Sequence, residues 1–276
     1  MTEIIVKELI GDFGTISYFR TSKTEHKYDI LFIHGLGGSK NWFLNHFKRF
    51  KLTNFSWIVP DLLGYGDSSK PSEVEAYSMN NQALILSNLL LVENVESLVI
   101  LAHSMGGPIA ISLMELMQQI DVKISVLGLF YMEGNLDIND TFFSSKIAEY
   151  SLEEYKKNFK SWLGKFVEKD DEKTREFFNK LHQIGPIPLW ASSIDLVSLS
   201  KSNQLLPRIQ AISQVHNCKV HFIFGEENKG LFTSEKLVKK TELPLIYIPD
   251  SGHVMFEDNP EAFWKILKQL FFSLNQ

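Results

Sequence analysis

The chain has 276 residues, of which 44% are hydrophobic and 22% are charged, and its formal net charge is -5. This composition is that of an ordinary globular protein, and no block of like charge is long enough to form a basic patch. We therefore expect neither nucleic acid nor an anionic membrane as a partner. The length fits one α/β core with an insertion.

The N-terminal segment and the single cysteine bear on the compartment. The first residues lack the basic segment followed by an apolar one that marks a secretory signal. No apolar run approaches the roughly 18 residues that span a bilayer. Cys218 has no second cysteine with which to form a disulfide or a metal pair. We expect a cytoplasmic protein without a membrane partner.

Short apolar segments recur along the chain with helical segments between them. IIVKE and TISYF predict an N-terminal hairpin, and the later runs are DILFI, SWIVP, SLVILA, ISVLGLFYM, KVHFIF and LPLIYI. Their near-continuous hydrophobicity is typical of strands buried on both faces of a parallel sheet. NNQALILSNLLLV and PIAISLMELMQQI carry apolar residues at helical spacing. The sequence predicts an α/β fold in which these helices connect parallel strands and the antiparallel hairpin lies at the sheet edge.

The alternation of strands and helices stops between residues 136 and 214. No strand-like run occurs there, and FKSWLGKFVEKDDEKTREFFNKL combines many charges with the apolar stripe of a helix. Pro186 and Pro188 interrupt the helical pattern. We interpret residues 136–214 as a helical insertion, and residues 1–135 together with 215–276 as the core.

A serine with small neighbours follows the strand SLVILA. In SLVILAHSMGGPIAISLMELM, Ala102 and Gly106 flank Ser104 at two residues on either side, which permits a sharp turn that holds the hydroxyl exposed. Ala102 replaces the first glycine of the GxSxG pattern. The helix that follows favours negative charge at its N-terminus. Ser104 is therefore a candidate nucleophile, the alternative being a serine that only caps the helix.

A glycine-rich turn precedes this serine in ILFIHGLGGSKNWF. Acyl transfer needs two donors aimed at the developing oxyanion, and the backbone amides of Leu36 and Met105 are the candidates. The alternative is a turn with no catalytic role.

His253 is the candidate base. LIYIPDSGHVMFEDNPEAFWKIL places it between the last strand and the last helix, where a side chain can reach the nucleophile of a neighbouring strand. Among the eight histidines only this one has such a setting, because His34 and His103 lie inside the other two motifs.

These three motifs, in this order, resemble the α/β-hydrolase superfamily, in particular its lid-bearing group of esterases, carbon–carbon bond hydrolases, epoxide hydrolases and haloalkane dehalogenases. The resemblance covers roughly residues 28–135 and 215–272. It implies the α/β-hydrolase fold, a mostly parallel eight-stranded sheet flanked by helices, with a helical lid inserted after strand six. Dehalogenases and epoxide hydrolases of this fold use an aspartate at the elbow. Ser104 instead implies an acyl-enzyme pathway.

The base needs an acid that fixes its tautomer and stabilises its cation. In most of the superfamily this acid lies three residues after a glycine that ends strand seven, where this chain has Gly225 and Asn228. A subset that includes some dehalogenases carries the acid after strand six, and Glu133 in YMEGN is similar to it. A carboxylate at the end of a buried strand is costly unless it is paired, which also favours Glu133. The alternatives are Glu227 or Glu226, with Glu133 only fixing its own turn.

The sequence thus predicts a serine hydrolase that cleaves small to medium apolar carboxylic esters through an acyl-enzyme. The pocket candidates, which could equally pack in the core, are Trp42, Phe142, Phe143 and Trp190. No HExxH, CxxC or phosphate-loop pattern occurs, so we expect no metal and no cofactor. Two other functions stay open: a carbon–carbon bond hydrolase of the same fold, and a ligand-binding receptor that retains the triad. We expect a monomer or a homodimer.

Overall fold

The computed structural model describes residues 3–22, 28–120, 122–167 and 172–274. One sheet contains the strands β1 (Ile4–Gly11), β2 (Gly14–Thr21), β3 (Asp29–Ile33), β4 (Ser56–Pro60), β5 (Ser97–His103), β6 (Ser125–Met132), β7 (Lys219–Gly225) and β8 (Leu245–Ile248). Their order across the sheet is β1-β2-β4-β3-β5-β6-β7-β8. The β1–β2 and β2–β4 pairs are antiparallel and the others are parallel. The expected mostly parallel eight-stranded sheet with an edge hairpin is confirmed.

Helices connect these strands and cover both faces of the sheet. They are α1 (Leu44–Arg49), α2 (Met79–Val92), α3 (Gly106–Gln119), α4 (Phe142–Ala148), α5 (Leu152–Val167), α6 (Glu172–Ile184), α7 (Pro186–Lys201), α8 (Leu205–His216), α9 (Thr233–Val238), α10 (Met255–Asp258) and α11 (Pro260–Ser273). Single helical turns occur at Lys40–Phe43, Leu52–Asn54, Val74–Tyr77, Ile138–Asp140 and Glu226–Asn228.

Alternate residues of each buried strand enter two separate cores. In β3, Leu31 and Ile33 pack in the core that includes residues of α2, α3 and α8, while Ile30 and Phe32 pack in the core with residues of α1 and α11. All four side chains are fully buried. This double burial explains why the strand sequences are continuously apolar rather than alternating.

Five helices, α4 to α8, lie between β6 and β7. Pro186 is the first residue of α7, so the prolines end one helix and begin the next, because proline is tolerated in the first helical turn. Residues 168–171, within the segment predicted as an insertion, lie outside the described residues. Helix α7 packs against α4 and α5, and also against the turn at Val74–Tyr77. Within the described ranges, no helix is both long enough and apolar enough to cross a membrane.

The parallel strands end at one edge of the sheet, and the segments that follow β3, β5, β6, β7 and β8 converge there. In open α/β sheets, ligands bind outside the carboxyl ends of the strands. This edge therefore holds the sequence-predicted site residues, and the α4–α8 segment also begins and ends at the strands that border it.

Candidate active site

Ser104 lies on a strained turn between β5 and α3. Its φ is +53°, a left-handed conformation that non-glycine residues rarely adopt, and its amide donates a hydrogen bond to the Met132 carbonyl at 3.0 Å. The turn packs so tightly that a Cβ on Gly106 would lie 2.3 Å from the Ile33 carbonyl oxygen. Ala102 is an ordinary strand residue paired with Tyr131 of β6, so its methyl group causes no strain. The sequence therefore forms the sharp strand-to-helix turn predicted around Ser104, which we call the elbow, without the first glycine.

Glu133 follows β6 directly and is 4% exposed, with a φ of +40°. Its Oε1 accepts hydrogen bonds from the Gly225 amide at 2.7 Å and from Asn228 Nδ2 at 3.0 Å. Its Oε2 accepts from the same Nδ2 at 2.9 Å and pairs with His253 Nδ1 at 2.7 Å. The carboxylate is therefore fully hydrogen-bonded despite its burial, and one of its partners is the predicted base.

The segment after β7 brings the amide side chain of Asn228 against Glu133. Asn228, three residues after Gly225, donates its amide hydrogens to the Glu133 carboxylate. Glu226 and Glu227 are exposed, and within the described residues neither carboxylate is hydrogen-bonded to His253. The Glu227 backbone amide donates to the Ser251 carbonyl at 3.0 Å, which fixes the two loops against each other. The sequence alone did not predict that Asn228 would hold the carboxylate, although its position three residues after Gly225 was the available signal.

His103 supports the loop that carries His253. Its Nε2 donates to the His253 carbonyl at 2.8 Å, and the two imidazole rings are 4.7 Å apart. Burial and the neighbouring His253 hold the pKa of His103 well below its usual value. His103 is therefore neutral at physiological pH with its proton on Nε2. This contact was not predicted, since the residue stood out only as part of the serine motif.

The turn after β3 passes against the elbow. A Cβ on Gly35 would lie 2.8 Å from the Ser104 Cβ, so the turn that carries Gly35 and Leu36 lies directly against the serine. Met105 lies between Ser104 and the first residue of α3, as the N-cap of that helix. Among the described residues, no acceptor takes a hydrogen bond from the Leu36 or Met105 amide. Both donors are thus available to an oxygen bound next to Ser104.

Buried polar contacts hold this turn in place. His34 is fully buried, accepts a hydrogen bond from the Leu62 amide on Nε2 at 3.0 Å, and donates from Nδ1 to the Gly35 carbonyl at 2.8 Å. Burial lowers its pKa, which keeps the ring neutral, as these contacts require. The Lys40 Nζ and the Asp61 carboxylate form a buried ion pair at 2.6 Å. The Asp61 carboxylate also accepts from the Lys40 amide at 2.6 Å, so it ties two loops together.

A cavity of about 440 Å³ is lined by Ser104, His253 and mainly apolar side chains. Of the aromatic pocket candidates, Trp42, Phe142 and Phe143 line it. Trp190 is not among the residues that line this cavity, and its indole donates to the Tyr150 carbonyl at 2.7 Å. Its face of α7 packs against the α4–α5 connection instead. The volume suits a small molecule of modest size.

One acidic residue in the cavity wall was not singled out by the sequence. Asp140 accepts hydrogen bonds on Oδ2 from the Leu136 amide at 2.8 Å and the Asp137 amide at 3.1 Å. Its Oδ1 is buried. Burial raises the pKa of Asp140 to about 6. The described part of the chain contains no cluster of three or more His, Cys, Asp or Glu side chains able to hold a metal ion.

Comparison with known proteins places this geometry in a family. The model of the Alpha/beta hydrolase family matches residues 30–266. Lipase 3 of Moraxella sp. (strain TA144) is 38% identical over 86 residues, which is 30% of this chain and 26% of that protein. Lipase 1 of Psychrobacter immobilis is 37% identical over 84 residues, 30% of this chain and 26% of that protein. The chain thus spans about a quarter of the length of these curated relatives.

Two solved structures are similar over almost the whole chain. The esterase EaEST from Exiguobacterium antarcticum has a TM-score of 0.74 at 18% identity and covers 97% of this chain and 99% of its own. A structure described as the N-acyl homoserine lactonase AidH complexed with N-butanoyl homoserine has a TM-score of 0.72 at 18% identity, covering 99% and 98%. At this identity the likeness shows the fold. The family match covers most of the chain and extends from β3 to α11, and the chain therefore belongs to the alpha/beta hydrolase family.

Proposed function

We propose that the protein is a serine hydrolase that cleaves small to medium apolar carboxylic esters through an acyl-enzyme. The observation that carries this proposal is the cluster at the strand ends: Ser104 on a left-handed elbow, and His253 bound through Nδ1 to the buried Glu133, with both Ser104 and His253 lining one cavity. Activation of a serine requires a base, and a carboxylate bound to the other nitrogen of that base fixes its tautomer.

The first half of the reaction forms the acyl-enzyme. Ser104 Oγ attacks the ester carbonyl carbon while His253 Nε2 takes the hydroxyl proton, and Glu133 stabilises the resulting imidazolium. The carbonyl oxygen, now negative, accepts hydrogen bonds from the Leu36 and Met105 amides. When the intermediate collapses, the carbon–oxygen bond to the alcohol breaks and His253 returns its proton to the leaving alkoxide.

The second half releases the acid. Water gives a proton to His253 and attacks the acyl carbonyl, and the new intermediate expels Ser104, which takes its proton back. The products are a carboxylic acid and an alcohol. The apolar lining of the cavity supports apolar substrates, because a charged head group would find few polar partners there.

We also propose the domain division: residues 136–214 form a helical lid over a core made of residues 1–135 and 215–276. Support comes from α4, which contributes Phe142 and Phe143 to the cavity wall, and from α6, which contributes Phe177. A lid built this way would help to exclude water from the reacting ester.

Hydrolysis of chromogenic esters tests the proposal. The wild type and the Ser104→Ala variant are compared on a panel that includes a lactone, since AidH is described as a lactonase and a lactone is a cyclic ester. We expect Ser104→Ala to lower kcat by at least about 10⁴-fold, as loss of a serine nucleophile does. Ser202→Ala, at an exposed serine that begins no helix and lines no described cavity, is the matched control. A wild type without ester turnover would contradict the proposal and favour a carbon–carbon bond hydrolase or a receptor.

A further inference from the structure

The cavity at Ser104 has an exposed end. Three of its lining residues are exposed: Phe142 and Leu231 at 60% and 68%, and His253 with a side chain that is 44% exposed. A side chain that lines a cavity and is also largely exposed must lie where the cavity meets solvent. The mouth is therefore formed by an apolar residue of α4, an apolar residue after β7 and the predicted base.

Within this mouth, an aromatic wall connects the base to Phe142 of α4. The ring of Phe232 lies 6.5 Å from the His253 ring and 5.6 Å from the Phe142 ring, measured between centroids. The wall is apolar, and its outer residues have water rather than protein on one side. It gives an apolar group that starts at His253 a continuous surface leading outward.

Away from this mouth, the lining side chains Phe143, Phe177 and Leu196 are half-buried or buried, and we call the part of the cavity that they form the closed end. Phe177 packs directly on the turn after β3, because a Cβ on Gly37 would lie 2.6 Å from its ring. Phe143 lies 6.1 Å from Phe177 and 5.3 Å from Trp162, again between ring centroids. Leu196 of α7 is 2% exposed and completes this end. A group that enters here meets side chains from three helices.

The chemistry of ester cleavage indicates which end of the cavity holds the alcohol and which holds the acyl chain. When the tetrahedral intermediate collapses, His253 Nε2 transfers its proton to the alkoxide oxygen as the carbon–oxygen bond breaks, so the alcohol must lie beside His253. The oxyanion points to the Leu36 and Met105 amides, which leaves the closed end for the acyl chain. This assignment rests on the proposed function.

We propose that the enzyme acts on esters of a short acyl group with a longer apolar alcohol, the acyl chain occupying the closed end and the alcohol the mouth. The cavity of about 440 Å³ lies in the range of small-molecule pockets, so it limits the size of the part of the ester that it encloses. The closed end is only part of this space. The closed end therefore limits the length of the acyl chain, whereas the alcohol extends past Phe142 and Leu231 into solvent.

Two ester series test this assignment. The first series keeps p-nitrophenol as the alcohol and lengthens the acyl chain from acetate to decanoate. The second keeps acetate as the acyl group and lengthens the alcohol from ethyl to decyl. Hydrolysis in the second series is measured by pH-stat titration, with each substrate below its critical micelle concentration. We expect kcat/KM to fall at least about tenfold for decanoate relative to the best acyl chain, since a misfitting methylene costs about tenfold or more in a closed pocket. Across the alcohol series, we expect kcat/KM to rise as the alcohol becomes longer.

Two variants separate the ends. Phe177→Ala is expected to move the acyl optimum about two carbons or more towards longer chains and to leave the ranking of alcohols as it is. Phe142→Ala is expected to lower kcat/KM for octyl acetate about three- to tenfold relative to ethyl acetate and to leave the ranking of acyl chains as it is. Ile10→Ala removes a side chain that is 83% exposed on the edge strand β1, and it is the control for loss of surface apolar area.

The reverse pattern overturns the inference: Phe142→Ala altering the acyl ranking, or decanoate being the best acyl chain in the wild type. An effect of Phe142→Ala that occurs only with vesicle-bound substrates would make the mouth a lipid-docking surface and would also overturn it. In these cases Ser104-dependent hydrolysis persists and the proposed function stands. If no ester of either series is hydrolysed, both the proposed function and this inference are wrong.

Discussion

Replacing Glu133 by glutamine removes one charge and one acceptor from a buried carboxylate that accepts four hydrogen bonds. A glutamine has one acceptor oxygen and one NH₂ group. If the oxygen stays with the Gly225 amide, the NH₂ group faces His253 Nδ1 and forces the proton onto Nε2, where the imidazole can no longer take the serine proton. If the oxygen faces His253, the NH₂ group opposes the Gly225 N–H, which costs about 1–3 kcal/mol for a buried unpaired donor.

Either arrangement loses the charge that stabilises the imidazolium. A misprotonated histidine in a serine triad lowers kcat by about 10⁴-fold. We therefore expect Glu133→Gln to lower kcat by about 10³- to 10⁴-fold, equivalent to about 4–5.5 kcal/mol of activation free energy. The free energy of unfolding should fall by about 1–3 kcal/mol from the unpaired donor.

The assay is kcat on a chromogenic ester for the wild type, Glu133→Gln and Glu227→Gln, with urea unfolding of all three. Glu227 is exposed and has no hydrogen bond to His253 within the described residues, so Glu227→Gln should change kcat less than about threefold. A Glu133→Gln variant within tenfold of the wild type would refute the reasoning. So would a Glu227→Gln variant that carries the loss, since Glu133 would then only fix its turn.

Three further predictions concern stability and folding. The pKa of Asp140 is raised from 3.8 to about 6, so the folded state holds its proton more tightly than the unfolded state. Relative to Asp140→Asn, the wild type should therefore lose up to about 3 kcal/mol of unfolding free energy as pH rises from 4 to 7. A difference in unfolding free energy between the two proteins that stays constant over this pH range, measured by urea unfolding, would disprove it. Lys40→Met leaves the buried Asp61 carboxylate without its cation, and urea unfolding should show a loss of about 3–5 kcal/mol; a loss below 1 kcal/mol would contradict a structural ion pair. Gly106→Ala adds a Cβ 2.3 Å from the Ile33 carbonyl oxygen, so the variant should be insoluble or inactive, and a soluble variant with wild-type kcat would show that the elbow can relax.

The sheet could be predicted from the sequence because its strands are buried on both faces. Such strands are continuous apolar runs, and the run DILFI coincides with β3 at Asp29–Ile33, as SWIVP does with β4 at Ser56–Pro60. Strand order across the sheet does not follow from these runs. It depends on crossovers such as the one that places β4 outside β3, which no single apolar run shows.

The candidate site, like the sheet, could be predicted from the sequence only in part. Ser104, Glu133 and His253 each follow a strand with a distinctive local sequence, so they could be selected before their contacts were known. The mutual contacts of Asn228 with Glu133 could not, because they join segments 95 residues apart. The surroundings of Trp190 could not be predicted for a related reason. Which face of α7 meets the cavity depends on how α7 packs against α4 and α5, and spacing along one helix does not show this.

The most direct test of the central claim is covalent labelling with a fluorophosphonate, in which a serine oxygen displaces fluoride from phosphorus. Intact mass and peptide mapping should show one adduct per chain, located on Ser104, and no adduct in Ser104→Ala. His253→Ala should slow labelling strongly because the serine then lacks its base. An adduct on another serine, or ester hydrolysis that continues in Ser104→Ala without any adduct, would contradict the claim that Ser104 is the nucleophile.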